Sequence, residues 1–254
     1  MSDRIIGIMG AMPEEIDSIT HLLSEKRVVS MGMRTYTCGK LAGVSAVVVF
    51  SRWGKVAAAT TVSNLILEFK ITELIFTGVA GAIAPRMNIG DIVLGKRLIQ
   101  HDVDARPLME QFEVPLLGKT FFECADDRLA VAAVAIADVL ENGHLHSAIG
   151  KDELDRFGIT APKLVVGDIA SGDQFFSSSR DKDDLLGLLP SVLCVEMEGA
   201  AVAQVCYEYA IPYTVIRTIS DAADEKSPID FPSFIKSISS KYSLEIIKNI
   251  YKQF

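Results

Sequence analysis

Residues 192–206, VLCVEMEGAAVAQVC, contain a complete strand-to-helix unit of this chain. The stretch begins as an apolar run typical of a buried strand, and it continues after a glycine as an alanine-rich segment typical of a helix. Glu196 and Glu198 lie two residues apart at the junction. Because an unpaired buried carboxylate is costly, such groups are usually neutralised, paired or used in chemistry. The stretch therefore predicts functional carboxylates where a buried strand meets a helix.

Similar units follow one another along the rest of the chain. The segments predicted to contain strands are 5–9, 44–51, 73–81, 90–104, 163–176, 192–198 and 213–224. The segments predicted to be helical are 13–25, 55–69, 127–142, 181–189, 199–210 and 232–254. Continuous apolar strands that alternate with helices are typical of a mainly parallel sheet covered on both faces. The polar stretch 144–162 predicts a surface excursion, and we expect one α/β domain over residues 1–254.

The composition excludes some classes of partner. The formal net charge is −8 at pH 7, whereas affinity for nucleic acid or anionic lipid requires basic patches. We therefore expect neither nucleic acid nor membrane as a partner, although a small anionic ligand stays possible. The four cysteines are scattered without a CxxC pair, which favours reduced thiols. No run reaches transmembrane length and Pro13 ends the short N-terminal apolar run, so we expect a soluble, cytoplasmic protein.

Small, acidic and aromatic residues follow the predicted strands. The segments in question are GAMPEE (10–15), SRWGK (51–55), TGVAGA (77–82), SGDQFF (171–176), EMEG (196–199) and ISDAAD (219–224). In parallel sheets, ligands bind at the carboxyl ends of the strands. We therefore expect these segments to converge on one rim and to form a binding site there.

The chain resembles a known enzyme family through motifs that occur in the same order over nearly its whole length. These motifs are GAMPEE, TGVAG, HDVD, ASGDQF, VEMEGAAVA and RTISDAAD. They are similar to those of the bacterial 5′-methylthioadenosine/S-adenosylhomocysteine nucleosidases, most closely the branch that also handles aminofutalosine. The resemblance implies a nucleoside phosphorylase-like α/β fold, with a central mixed β-sheet surrounded by α-helices, in a homodimer. It also implies hydrolysis of an N-ribosidic bond, which releases adenine and a 5-thioribose, without a metal or organic cofactor.

The implied reaction explains the carboxylates. Breaking the C1′–N9 bond leaves positive charge on the ribose and negative charge on the purine, so one carboxyl group must protonate the base and another must activate water. The resemblance implies that Asp221 is the acid, acting at purine N7, and that Glu15 is the base. We expect burial behind an apolar strand to keep Asp221 protonated. We expect the dipole of the helix that begins at Pro13 to keep Glu15 ionised, so that the two environments act in opposite directions.

The resemblance also implies how the substrate is bound. Glu198 would accept hydrogen bonds from the ribose 2′ and 3′ hydroxyls, and Met197 would pack against the sugar. Phe175 would stack on adenine, and the backbone of Phe176 would read the purine edge. The remaining implied positions are Gly81, which contacts the ligand through its backbone, Arg217 and Ser220, which hold Glu15 and the base loop, and Phe231 in the pocket for the 5′-substituent.

Some positions depart from the family pattern or have no assigned role. Val79 occupies a position where other members have serine, and Trp53 replaces a small aliphatic residue and is expected to line the 5′ pocket with Phe231. The segment 101–108 corresponds to the part that reaches across the dimer to that pocket. Its His101 and two aspartates match no firm metal-ligand pattern, so surface or interface polar residues are the better interpretation. Glu196 is expected to lie behind the residues that contact substrate.

The sequence leaves alternatives open. A purine nucleoside phosphorylase of the same fold needs cations and backbone donors that hold phosphate, whereas this chain has GAMPEE (10–15) after its first strand. A non-catalytic nucleoside-binding protein would be expected to lack Glu15 or Asp221, and both are present. The 5′-substituent stays undecided between methylthioadenosine, adenosylhomocysteine, 5′-deoxyadenosine and aminofutalosine.

Overall fold

The computed structural model describes residues 4–254, and residues 1–3 of the predicted domain lie outside this range. The strands are β1 Ile5–Gly10, β2 Ser24–Met31, β3 Arg34–Leu41, β4 Val44–Phe50, β5 Glu73–Ala82, β6 Ile92–Gln100, β7 Phe121–Glu123, β8 Leu164–Ser171, β9 Val192–Glu196 and β10 Tyr213–Asp221. The helices are α1 Pro13–Leu22, α2 Lys55–Leu67, α3 Asp126–Glu141, α4 His144–Ile149, α5 Lys151–Arg156, α6 Ser179–Leu188, α7 Gly199–Glu208, α8 Ser227–Phe234 and α9 Ser240–Tyr251. A π-helical turn, Ile235–Ser239, joins α8 to α9.

The strands form one ten-stranded mixed sheet, part of which closes on itself. Strands β5, β10, β6, β8 and β9 pair successively, and β9 pairs again with β5, so these five strands form a ring. Strands β1, β4, β3 and β2 extend from β5 in that order. The mixed sheet implied by the family resemblance is confirmed. The ring brings the ends of β5, β9 and β10 together, and β1 ends beside them.

The pattern-based expectation of a mainly parallel sheet is wrong, because antiparallel pairs occur in the ring, at β10–β6 and β5–β9, as well as in the outer part of the sheet. Strands β2, β3 and β4 pair antiparallel as two successive hairpins. Each hairpin turns over two residues with positive φ, Gly32 and Met33 in the first and Ala42 and Gly43 in the second. Turns of this kind suit the right-handed twist of paired strands. The sequence reading missed β2 and β3 because β2 is largely exposed and shows no continuous apolar run.

The stretch 144–162 is not simply a polar excursion. It forms the short helices α4 and α5, and Leu145, Ile149, Leu154 and Ile159 are buried. Helix α4 packs on α9. These four apolar side chains are spaced four or five residues apart, so they were hidden among the polar residues that make up most of the stretch.

The core lies between the sheet and the helices that cover it. Strand β10 is buried along its whole length, and β5 is buried at every position except Gly81. Helix α1 packs against α9, and α2 packs against α7. The closing helical region begins at Ser227, earlier than the predicted residue 232, and includes Pro232. Within residues 4–254, no helix combines the length and the apolar character needed to cross a bilayer.

Candidate active site

A cleft that is partly open to solvent lies where β1, β5, β9 and β10 end. Each of the six segments predicted to converge on one rim contributes to its wall, which confirms that expectation. The wall contains all the predicted site residues except Arg217, namely Glu15, Gly81, Phe175, Phe176, Met197, Glu198, Ser220, Phe231 and Asp221. The cleft is therefore the place where the chemistry of these residues can be combined.

Glu15 is fixed in the cleft by backbone donors. As the third residue of α1, it reaches back to the start of its own helix, where its Oε2 accepts the N–H groups of Ala11 at 2.6 Å and Met12 at 3.0 Å. Its Oε1 accepts the N–H of Val79 on β5 at 3.2 Å. A Cβ atom at Gly78 would lie 2.7 Å from this oxygen, so the glycine makes room for the carboxylate.

The protonation of Glu15 differs from the expectation based on the helix dipole. Glu15 is only 2% exposed, and burial raises its pKa above the ordinary glutamate value. The positive charge of Arg217 and the three backbone donors oppose this effect without cancelling it. The expectation that Glu15 is simply held ionised is therefore wrong in direction. A raised pKa brings the group closer to neutral pH, where a general base works best.

Arg217 lies behind the cleft and does not form part of its wall. Its guanidinium is completely buried, packs 3.9 Å from the ring centroid of Phe76 and pairs with Glu196 Oε2 at 2.7 Å. The prediction that Arg217 binds substrate is not supported by this position, because β10 directs the side chain into the core. Its charge still acts on Glu15, whose pKa it lowers.

Glu196 acts as a structural anchor, but it does not lie wholly behind the residues of the cleft, as the sequence predicts, because it also forms part of the cleft wall. Its carboxylate accepts the N–H groups of Glu198 at 3.1 Å and Gly199 at 2.8 Å, and it also contacts the hydroxyl of Ser171. Together with the ion pair to Arg217, these bonds fix the start of α7 to the end of β9. Removing one partner of such a buried ion pair typically costs about 3–5 kcal/mol of stability.

Glu198 occupies the turn between β9 and α7, with 5% of its surface exposed. Its Oε1 accepts the N–H of Gly54, at the start of α2, at 2.7 Å. Burial, followed by repulsion from Glu196, raises the pKa of Glu198 to about 8. Hydrogen-bond donors that a ligand brings into the cleft would favour the ionised form of this carboxyl group.

Asp221 ends β10 and is also buried, with 2% exposure. The register between β10 and β5 shifts between Ile219 and Asp221, so Ser220 and Asp221 together advance a single step along β5. Bulges of this kind re-aim side chains, and here Ser220 and Asp221 both line the cleft. Within residues 4–254, none of the ion pairs includes Asp221, and its hydrogen-bond partners are neutral. It is therefore a buried carboxyl group without a cation.

Three aromatic side chains line the outer part of the cleft. Phe175 is 39% exposed and meets Phe231 edge to face with ring centroids 5.5 Å apart. Phe231 meets Trp53 in the same manner at 6.0 Å. Phe176 is buried, and the ring of His101 packs edge-on against it at 5.3 Å. Flat apolar surfaces of this kind are suited to a purine ring and an apolar substituent.

The loop that carries Phe175 and Phe176 is tied to two other loops. Lys55 pairs with Asp102 at 2.5 Å, and Asp102 accepts the N–H of Asp173 at 2.9 Å. Asp173 in turn accepts the N–H of Lys55 at 2.8 Å. Asp102 therefore holds the loop of residues 172–176 by charge and hydrogen bonds. Within residues 4–254, no group of three or more His, Cys, Asp or Glu side chains is arranged to hold a metal ion.

The sequence reasoning missed contacts that come from backbone atoms or distant hydroxyls. The N–H of Gly54 and the space at Gly78 leave no side-chain signal, although both touch predicted site carboxylates. Ser227, which donates to Asp221, stands six residues further along the chain in a stretch without an obvious motif. A search for hydroxyl residues near the predicted acid would have found it.

The charges around the cleft favour a particular kind of nucleophile. Among the described residues, no lysine, arginine or histidine lines the cleft, whereas four carboxyl groups do: Glu15, Glu196, Glu198 and Asp221. A phosphate ion needs cations or a set of free backbone donors. The arrangement is therefore suited to a neutral nucleophile, such as water, and to a substrate that develops positive charge.

The chain is similar to known proteins over nearly its whole length. The family described as the phosphorylase superfamily matches residues 5–251. A 5′-methylthioadenosine/S-adenosylhomocysteine nucleosidase from Geobacillus thermodenitrificans is 33% identical over 241 residues, which are 94% of this chain and 93% of that protein.

Solved structures with the same fold include a nucleosidase and a futalosine hydrolase. The nucleosidase of the same name from Neisseria meningitidis, in complex with methylthio-immucillin-A, superposes with a TM-score of 0.85 at 30% identity, covering 99% of this chain and 100% of that one. The futalosine hydrolase of Helicobacter pylori superposes with a TM-score of 0.83 at 30% identity, covering 99% and 98%. The likeness to both is of the same degree.

Proposed function

Because this chain belongs to the phosphorylase superfamily, and within it to the 5′-methylthioadenosine/S-adenosylhomocysteine nucleosidases, we propose that it hydrolyses the N-ribosidic bond of these two nucleosides. The products are adenine and the corresponding 5-thioribose, which gives the enzyme a place in methionine salvage. The whole chain acts as one nucleosidase domain, since a single sheet runs from β1 to β10.

The observation that carries the proposal is the pair of carboxyl groups on either side of β5. Val79 donates its N–H to Glu15, and Gly81 pairs in register with Asp221. Two residues along a strand span roughly 7 Å, which leaves space for a sugar–purine linkage between the two groups. The absence of cations from the cleft wall formed by residues 4–254 supports water, rather than phosphate, as the nucleophile.

In the proposed reaction, Asp221 gives its proton to N7 of the purine while the C1′–N9 bond breaks, and the electron pair of that bond leaves with the base. Glu15 takes a proton from water, and the resulting hydroxide adds to C1′ of the ribose. Adenine departs as a neutral molecule, and solvent exchange returns the proton from Glu15 to the aspartate. Each group contributes roughly 3–5 kcal/mol to the lowering of the barrier at typical rate factors.

The ribose is held by Glu198. We expect the second carboxylate oxygen of Glu198 to accept hydrogen bonds from the 2′ and 3′ hydroxyls. Burial disfavours the ionised form of Glu198, and these donors favour it, so binding of the ribose offsets the effect of burial. The ionised form also stabilises positive charge on the sugar. Met197, which is half-buried beside Glu198, packs against the ribose.

The aromatic wall receives the base and the 5′-substituent. Phe175 stacks on adenine, the backbone of Phe176 reads the purine edge, and Gly81 and Ser220 complete the contacts around the base. Trp53 and Phe231 line the pocket for the 5′-substituent, which their edge-to-face packing supports. The likeness to a futalosine hydrolase supports aminofutalosine as a further substrate, and 5′-deoxyadenosine stays a candidate.

We further propose a cytoplasmic homodimer that needs no cofactor. Large apolar side chains lie exposed next to the cleft or on segments tied to it, including Trp53 at 54% and Leu108 at 89%. A second subunit that covers them would place its residues 101–108 at the 5′ pocket. Sedimentation at micromolar concentration should give twice the monomer mass.

The test of the function is adenine release in phosphate-free buffer, followed by competition among the four candidate nucleosides. We expect full turnover without phosphate and a preference for thioether substituents. Strict phosphate dependence would support the phosphorylase alternative instead. An intact nucleoside after prolonged incubation would support a non-catalytic binding protein.

A further inference from the structure

We propose that Ser227 is a positioning residue for Asp221, and that it makes one carboxyl oxygen a permanent acceptor so that the transferable proton resides on the other. The inference rests on the proposed function, because it concerns the acid of that reaction. It concerns a residue that lies outside both the cleft wall and the predicted site.

Asp221 Oδ1 accepts two hydrogen bonds. This oxygen accepts the hydroxyl of Ser227 at 2.6 Å and the N–H of Ala223 at 2.9 Å. The Ser227 oxygen itself accepts the N–H of Asp224 at 2.9 Å, and within residues 4–254 its hydrogen has Asp221 as its acceptor. Oδ1 therefore uses both of its lone pairs as acceptors, so the carboxyl hydrogen resides on Oδ2.

The other carboxyl oxygen, Asp221 Oδ2, lies 2.8 Å from the hydroxyl oxygen of Ser220. The same hydroxyl lies 3.4 Å from the carbonyl oxygen of Ala80. When Asp221 holds its proton, Ser220 directs its own hydrogen to Ala80, so that the Oδ2–H stays free to point at purine N7. After the proton has moved to purine N7, Ser220 rotates and donates to the ionised Oδ2. Ser227 thus fixes the orientation of the carboxyl group, whereas the Ser220 hydroxyl reorients once the proton has left.

The position of Ser227 in the fold links it to the cleft wall. The residue is fully buried and is the first residue of α8. Phe231 stands four residues later, one helical turn along the same face, and lines the cleft. A single helix therefore carries both the donor to the acid and part of the cleft wall.

The experiment compares two substrates that differ in their need for an acid. 5′-Methylthioadenosine requires protonation of its leaving group, whereas a 4-nitrophenyl 5-methylthioriboside releases nitrophenolate without it. With the nucleoside, Ser227→Ala should lower kcat about 10–100-fold and change KM less than about threefold, which is part of the full effect of a general acid. With the nitrophenyl riboside, the same variant should match the wild type.

Ser227→Thr keeps the hydroxyl and should restore the nucleoside rate, and Ser233→Ala, in the same helix, serves as the matched control. If Ser227→Ala does not fold, Ser227→Cys, with its weak S–H donor, should show the same selective loss. Equal losses on both substrates, or no loss on either, would overturn the inference. Wild-type turnover of the nucleoside tests the proposed function separately.

Discussion

Gly78→Ala is the substitution that tests most closely how Glu15 is held. The added methyl group would lie 2.7 Å from Glu15 Oε1 and 3.1 Å from Arg217 Nη1, closer than side-chain carbons normally approach. Because two backbone N–H groups hold Oε2 of Glu15 firmly, at 2.6 and 3.0 Å, the carboxylate must turn about that oxygen. This movement breaks the 3.2 Å bond from the N–H of Val79.

The size of the effect follows from these contacts. A hydrogen bond to a charged group contributes about 1.5–3 kcal/mol, so the folded protein should lose roughly that much stability. Displacing a catalytic group by about 1 Å costs on the order of 100-fold in rate. Gly78→Ala should therefore lower kcat for adenine release roughly 100-fold while the protein stays folded at room temperature.

The assay combines steady-state adenine release with thermal unfolding. Gly187→Ala is the matched control, because Gly187 is exposed in α6 and a Cβ there would meet nothing within 4 Å. This control should keep wild-type kcat and gain about 0.5–1 kcal/mol of stability from the better helix former. A Gly78→Ala enzyme that is folded and within about twofold of wild-type kcat would refute the proposed placement of Glu15.

Further expectations concern the other carboxylates. Glu198→Gln should weaken nucleoside binding and kcat together in steady-state kinetics. The wild-type protein should lose stability as pH rises from about 4.5 towards 8, by at most about 1.4 kcal/mol per pH unit, because the Glu198 pKa of about 8 lets the folded state keep a proton that the unfolded chain releases. Glu198→Gln should flatten this fall in chemical denaturation, and exposed Glu14→Gln should not. Asp221→Asn should nearly abolish turnover while calorimetry still detects nucleoside binding, and unchanged turnover would contradict its role as the acid. Asp102→Asn should raise KM roughly 3–10-fold by freeing the loop of residues 172–176, given the modest strength of such pairs. Asp104→Asn, which breaks only an exposed pair, should leave KM unchanged.

Much of the fold could be predicted because its signals are local. The strands β5, β9 and β10 are continuous apolar runs, and polar motifs mark their carboxyl ends. Strand β2 carries no such signal, since an exposed edge strand has no buried face to impose a pattern, and β3 contains no continuous apolar run. The buried side chains of α4 and α5 are likewise too sparse to stand out from their polar neighbours.

The features of the candidate site likewise divide into those with a local sequence signal and those that depend on the tertiary structure. The residues predicted to line one cleft do so, with the exception of Arg217, whose burial depends on the path of β10 through the core. The raised pKa of Glu15 also arises from tertiary burial, whereas the sequence shows only its place at a helix start. The bond from Gly54 to Glu198 joins positions 144 residues apart through a backbone atom, and no side-chain pattern encodes it.

In the proposed reaction, Glu15 and Asp221 act on opposite sides of a single bound nucleoside. The most direct measurement is a crystal structure of this protein with methylthio-immucillin-A. We predict that a carboxyl oxygen of Asp221 lies about 2.6–3.2 Å from the ring nitrogen at the purine N7 position, and that Glu15 holds a water molecule near the anomeric carbon at a similar distance. A ligand that binds with either carboxyl group out of hydrogen-bond reach, even through one water molecule, would contradict the account.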